Sequence, residues 1–286
     1  MKLRDIKSIA RLTHMQHGEG FLDYNLREQL NVSLDPFLNL DDFHMTLPTF
    51  RAHPHAGFSA VTYMFEDSAG TFLNRDSQDD RARIAPGDLH WTQAASGMLH
   101  EEVPEIHGAD CHGLQMFVTL SEENELKPPR SFHLNSTDVP EVTPTDGVRI
   151  RVLCGESHGY KSPLNELFTP ITLLDIHLDP NTTVTHKFPQ TYFALAIVIQ
   201  GEAIVETSAE PTTIEKHQAI AFDRSGDAVK FTTDSSAGAQ ILFAAGEPTG
   251  RDNVWAGPFC LSSQQKARDA IERYQAGLMG TLSPSF

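Results

Sequence analysis

With 286 residues, 40% hydrophobic and 21% charged, the chain is long enough for two compact domains, and its composition is neither disordered nor fibrous. A formal charge of −16 and the lack of any dense Lys/Arg run set it against direct contact with nucleic acid. No stretch of about eighteen apolar residues occurs, so no membrane span is expected.

The opening Met1-Lys2-Leu3-Arg4-Asp5-Ile6 lacks the apolar core of a signal peptide. Cys111, Cys154 and Cys260 are isolated and odd in number, which suits incidental thiols in a reducing compartment, and a cytoplasmic location is expected. Residues 1–33 carry weak signals. Leu34-Asp35-Pro36-Phe37 is a Pro-led turn that opens an alternating run to Phe43. From Phe50 to Leu120 the pattern is β throughout. Strands are predicted at 58–65, 71–74, 82–84, 88–93 and 113–120, punctuated by Pro86-Gly87, Ser96-Gly97 and Gly108. Residues 134–147 are polar and Pro-bearing and form the predicted linker.

Strand signals resume at 148–153 and 171–178. Phe193–Ile199 reads as a buried strand ending at Gln200-Gly201, with further strands at 203–207, 219–222, 229–231 and 240–243. The second half loosely echoes the first at an offset of 132–135 residues, with His186 alone where the first half has His53 and His55. A lone histidine there reads as structural. The chain closes on a predicted helix capped by Ser262 or Ser263, with a core-facing stripe of Ala267, Ala270, Ile271 and Tyr274, ended by Gly277.

Seven of the fourteen histidines fall within 81 residues, and three of them with one glutamate carry the chemistry. Residues two apart on a strand share a face, so His53 and His55 project together, as do His100 and Glu102, while Glu101 turns away. Pro54 then belongs at an edge or strand start. Three imidazoles and a carboxylate suit a first-row transition metal with open positions: Fe(II) first, with Mn, Ni, Cu or Zn as alternatives. His90, at PGxxH spacing after Pro86-Gly87, competes as a ligand. His107 and His112 follow the Pro104 break and read as solvent or rim histidines. No nucleophile elbow, phosphate loop or dinucleotide fingerprint is present.

His53-Pro54-His55-Ala56-Gly57-Phe58, Arg75-Asp76-Ser77, Pro86-Gly87-Asp88, Trp91 and Gly97-Met98-Leu99-His100-Glu101-Glu102 together resemble the pirin family of the cupin superfamily. Leu34-Asp35-Pro36-Phe37, Gly113-Leu114-Gln115, Gly246-Glu247-Pro248 and Gly257-Pro258-Phe259 agree with it. The resemblance implies an all-β bicupin: two cupin-type β-barrels facing each other with a short C-terminal helix. Residues 1–140 would form the barrel with the metal and 141–286 the barrel without it, plus the helix. It implies iron on His53, His55, His100 and Glu102, and favours His100 over His90, where the family usually has Gln. Three departures stand out: Asn74 where the family usually has His, Asp67 where it has Gly, and Asp79-Asp80 where it has Gly-Asn. Two functions follow from the resemblance. One is a quercetin 2,3-dioxygenase-type enzyme acting on a flavonoid-like substrate and O₂, with Glu102 as base. The other is an iron- and redox-dependent regulator that binds a transcription factor or metabolic enzyme.

Overall fold

The computed structural model describes residues 1–234 and 237–286. The predicted all-β architecture is what the chain adopts, with one α-helix among the described residues, Gln264–Gln275. In the N-terminal half a seven-stranded antiparallel sheet and a four-stranded sheet face each other. Phe21, Phe43, Met45 and Met64 of the larger sheet pack there with Phe72 and Ile84 of the smaller. The small sheet runs His53–His55, Met98–Pro104, Phe72–Asp76, Arg81–Ile84. The three-residue histidine strand is therefore an edge, the place where Pro54 is tolerated.

The strand Phe58–Met64 is buried along its whole length because both its faces are covered. Val61 and Tyr63 turn outward with Leu89, Trp91, Leu114 and Met116, and pack against Leu173, Leu195, Ile197 and Leu242 of the C-terminal sheet in one continuous core. That core joins the halves. A buried polar network crosses it: Tyr63 Oη donates to Asp175 Oδ2 at 2.7 Å and Arg151 Nη1 donates to Tyr63 Oη at 2.8 Å. Arg151 also binds the Gly87 and Ser136 carbonyls, which ties part of the predicted linker to the N-terminal half.

The C-terminal half is a ten-stranded sheet whose own interior is apolar, from Ile150 and Val152 to Phe222, Phe231 and Phe243. Two features depart from the sequence reading. Gln200-Gly201 does not end a strand: Phe193–Glu206 is continuous, with a bulge near Val198/Gln200. Gly201 takes φ +74° there, and a Cβ would collide with the Gly238 carbonyl. The weakly marked N-terminus also contains strands at Ile6–Arg11, Thr13–His17 and Phe21–Leu26.

The two ends of the chain cross over. Ile6–Arg11 pairs with Gln218–Phe222 in the C-terminal sheet. Conversely, Phe259, Leu261, Ala267 and Ala270 from the C-terminal end pack on Ala56 and Leu99 beside the histidine strand. Ser263 caps the helix by accepting from Lys266 N, and Tyr274 of its predicted stripe is exposed.

Candidate metal centre

Register places the histidines. His100 lies directly opposite His53, and Met98 opposite His55, so a single strand pair sets three imidazoles on one face. One ring nitrogen from each of His53, His55 and His100 falls within 4.8 Å of the other two. His55 and His100 are buried.

The protons of the first two rings are fixed by the backbone. His53 Nδ1 lies 2.8 Å from the Arg51 carbonyl, and His55 Nδ1 3.4 Å from the Pro258 carbonyl. A carbonyl only accepts, so each Nδ1 carries the hydrogen and each neutral ring keeps a lone pair on Nε2. Those two Nε2 atoms are 3.1 Å apart. Burial pushes His55 down to about 3, and His53 and His100 downward too, so protonation does not relieve the facing lone pairs. A cation would. His100 Nδ1, by contrast, is buried with no partner among the described residues. Neutral imidazoles oriented through the far nitrogen by carbonyls are the usual second layer of a metal site, so these residues fit a metal.

Glu102, two residues on from His100, lines the same cavity but its oxygens are not among the tightly grouped ligand atoms. Oε2 accepts from Thr62 Oγ1 at 2.7 Å, and burial raises the carboxyl to about 7 despite that bond. Glu101 points to the other side, where Arg75 and the backbone N–H groups of Ala52 and Ser285 hold it. His90 is fully buried across the strand pair from Thr62, with no partner for either ring nitrogen among the described residues and its ring pushed down to about 3 by burial. It lies outside the ligand group.

The cavity over the histidines measures about 270 Å³. Its walls are aromatic (Phe21, Phe43, Phe50, Phe72, Phe117), and Asn39, Asp41, Asp23 and Gln115 bring polar groups to it. Asp41 takes Asn39 Nδ2 at 2.8 Å on one oxygen, while the other is buried with no partner among the described residues. Burial, with the charge of Asp23 nearby, lifts Asp41 to about 7. Sequence reading did not single out Asp41 as a site residue. The signal was its place in the alternating run after Pro36, which turns Asn39, Asp41 and Phe43 to one face.

His112 corrects the rim assignment. It is buried, bridging Asp67 Oδ1 at 2.7 Å and Asp42 Oδ1 at 3.0 Å, and stacks on His44 at 4.3 Å. Burial opposes its proton, but the two carboxylates outweigh that and raise its pKa. His107 is exposed, as expected.

Segments that are distant in sequence meet around this centre. Asp35 accepts from the Thr249 and Gly250 N–H groups, and Cys260 N donates to the Ala56 carbonyl at 3.0 Å. Family comparison matches residues 5–118 to Pirin and 173–280 to the Pirin C-terminal cupin domain. Pirin-1 of Arabidopsis thaliana is 33% identical over 272 residues, 94% of this chain and 91% of that protein. Human Pirin is 31% identical over 240 residues, 84% of this chain and 81% of that protein. A Pseudomonas aeruginosa protein named as a candidate quercetin 2,3-dioxygenase is 30% identical over 254 residues, 86% of this chain and 87% of that one. Among solved structures, a quercetin 2,3-dioxygenase from Acinetobacter baumannii superposes with a TM-score of 0.85 at 24% identity, covering 98% of this chain and all of that one. A nickel(II) complex of a bacterial pirin from Escherichia coli gives 0.64 at 15% identity, over 84% of this chain and 98% of that one. Both family domains, in order and over most of its length, place this chain in the pirin family.

Proposed function

We propose that the chain is a metal-dependent dioxygenase that cleaves a flavonol such as quercetin, with Fe(II) held by His53, His55, His100 and Glu102. The observation that carries the reading is the pair of Nε2 lone pairs 3.1 Å apart in a buried aromatic cavity, each ring oriented by a carbonyl. The candidate dioxygenase among the relatives supports the substrate class. Bound there, the metal supplies Lewis acidity and a path for electrons between an enolate and O₂.

The protein's own groups do the rest. Five phenylalanines offer faces and edges to aromatic rings and exclude water, and the cavity volume sits near the lower end of the roughly 300–1,000 Å³ usual for small-molecule sites. Asp41 and Asn39 meet hydroxyl groups on the wall. Glu102, whose Oε2 is held by the Thr62 hydroxyl, is the carboxylate at the metal placed to accept the flavonol 3-hydroxyl proton.

Iron-loaded protein should consume O₂ in the presence of quercetin, measured with an oxygen electrode, and His55→Ala should reduce the rate by about a hundredfold or more. Equal rates in the variant would overturn the site assignment. Absence of uptake by protein with full metal content would overturn the enzyme reading and leave the regulatory one.

A further inference from the structure

The C-terminal half holds a second, larger cavity of about 690 Å³. It opens between the strand Thr183–Lys187 and a tight hairpin whose strands Glu156–Ser157 and Tyr160–Lys161 pair across His158-Gly159. Both turn residues have positive φ, 48° and 84°, the geometry of a two-residue hairpin turn, and it holds a histidine where left-handed backbone is uncommon.

That placement builds a relay. His158 Nδ1 lies 2.9 Å from Ser157 Oγ, which lies 3.2 Å from His186 Nδ1. His186 is 2% exposed, flanked by Phe188 and Phe243, and its Nε2 is buried with no partner among the described residues. Burial lowers both rings, so both are neutral at physiological pH. Two proton arrangements are open to neutral rings. In one, His158 Nδ1–H donates to Ser157, the Ser157 hydroxyl donates to His186 Nδ1, and His186 Nε2–H is left to donate to something else. The reverse leaves a bare lone pair on Nε2.

A ligand that accepts a hydrogen bond at Nε2 selects the first. The metal-side cavity has Asp23, Asp41 and Glu102 against Arg27, in a chain of charge −16. This one has Lys161 and Lys187 against Glu156. Glu156 pairs with Lys161 at 3.1 Å, whereas Lys187 has no ion pair among the described residues. An ammonium and an imidazole donor suit an anionic group. No arginine lines the cavity to clamp a doubly charged phosphate. Leu164, Leu167, Ile171 and Phe188 form an apolar wall beside these groups.

We propose that this cavity is a second ligand site, taking a small organic carboxylate whose charged end meets His186 and Lys187 and whose apolar body lies against Leu164, Leu167 and Phe188. The site is independent of the chemistry assigned to the N-terminal half.

Isothermal titration of the full chain with 1-naphthoate, neutral 1-naphthamide and inorganic phosphate tests it. 1-Naphthoate binds at one per chain, and the amide and phosphate bind about tenfold or more weakly. Lys187→Met, at an exposed position that leaves the fold intact, and His186→Phe, which keeps the aromatic stack, each weaken 1-naphthoate by about tenfold. Leu164→Trp, which reshapes the apolar wall, weakens binding by about tenfold. Equal affinity for acid and amide, tighter binding of phosphate, or wild-type binding by both Lys187→Met and Leu164→Trp would overturn the proposal.

Discussion

His53 and His55 differ from ordinary buried histidines in where their second nitrogen points. A structural histidine pairs both nitrogens, as His112 does between Asp42 and Asp67. The site histidines pair only the far one and leave the near ones facing each other. Strand parity made that face legible in the sequence, since alternation is a property of local backbone. The carbonyl of Pro258, 203 residues away from His55, was not legible, because only the tertiary fold brings it there. The three departures from the family pattern also acquire places. Asn74 is buried opposite Glu102, Asp67 grips His112, and Asp79 takes φ +65° where the family has glycine. Asp41 gives a prediction at this scale. Its carboxyl is raised from 3.8 to about 7, so the folded state binds its proton more tightly than the unfolded chain does. The stability it gives is full below pH 3.8 and lost as pH rises through about 7, by an amount on the order of 4 kcal/mol at most. Denaturant midpoints of Asp41→Asn should therefore fall less than those of the wild type between pH 5 and 8. Parallel curves would contradict the burial argument.

At the scale of elements, the C-terminal arm acts as a clasp on the histidine strand. Gly57 has φ +86°, and any Cβ there would collide with the Cys260 carbonyl, so glycine is required both by the turn and by the arm's approach. Arg251 fastens the two, donating to the Gly57 carbonyl at 3.1 Å and the Cys260 carbonyl at 2.9 Å while paired with fully buried Glu125. Lys266 from the first turn of the helix and Ser262 share that carboxylate. Arg251→Met leaves Glu125 with Lys266 and Ser262 but takes the donor from the buried Gly57 and Cys260 carbonyls, so it should cost about 1–3 kcal/mol in denaturant unfolding. It should also weaken metal binding, because the arm carries the Pro258 carbonyl that orients His55. Loss of stability with unchanged metal affinity would show the clasp to be structural alone. The helix itself was legible from its cap and stripe. Its role was not: amphipathic spacing says that a face is covered, not by which strand.

On the scale of the whole molecule, two halves with one plan have opposite interiors. The N-terminal interior carries Asn39, Asp41, Thr62, His90, Glu102 and Gln115, whereas the C-terminal one is filled by Val, Ile, Ala and Phe. Alternating strands in both halves, and the family motifs, made the β architecture readable. The crossing of the two chain ends was not readable, since Ile6–Arg11 finds its partner more than 200 residues away. Because those ends and the shared core bind the halves together, heat or denaturant should unfold them in one transition. Arg151→Met, which unties Tyr63, Gly87 and Ser136 at once, should shift that whole transition by about 3–5 kcal/mol. Two separated transitions would contradict a shared core.

The metal centre is the claim on which the functional reading rests, and it is open to direct measurement. The full chain would be loaded anaerobically with Fe(II), desalted, and its metal counted by plasma mass spectrometry beside His100→Ala prepared in the same way. The arrangement of His53, His55 and His100 predicts about one iron per wild-type chain and little in the variant. Equal metal in both proteins, or none in either, would contradict it.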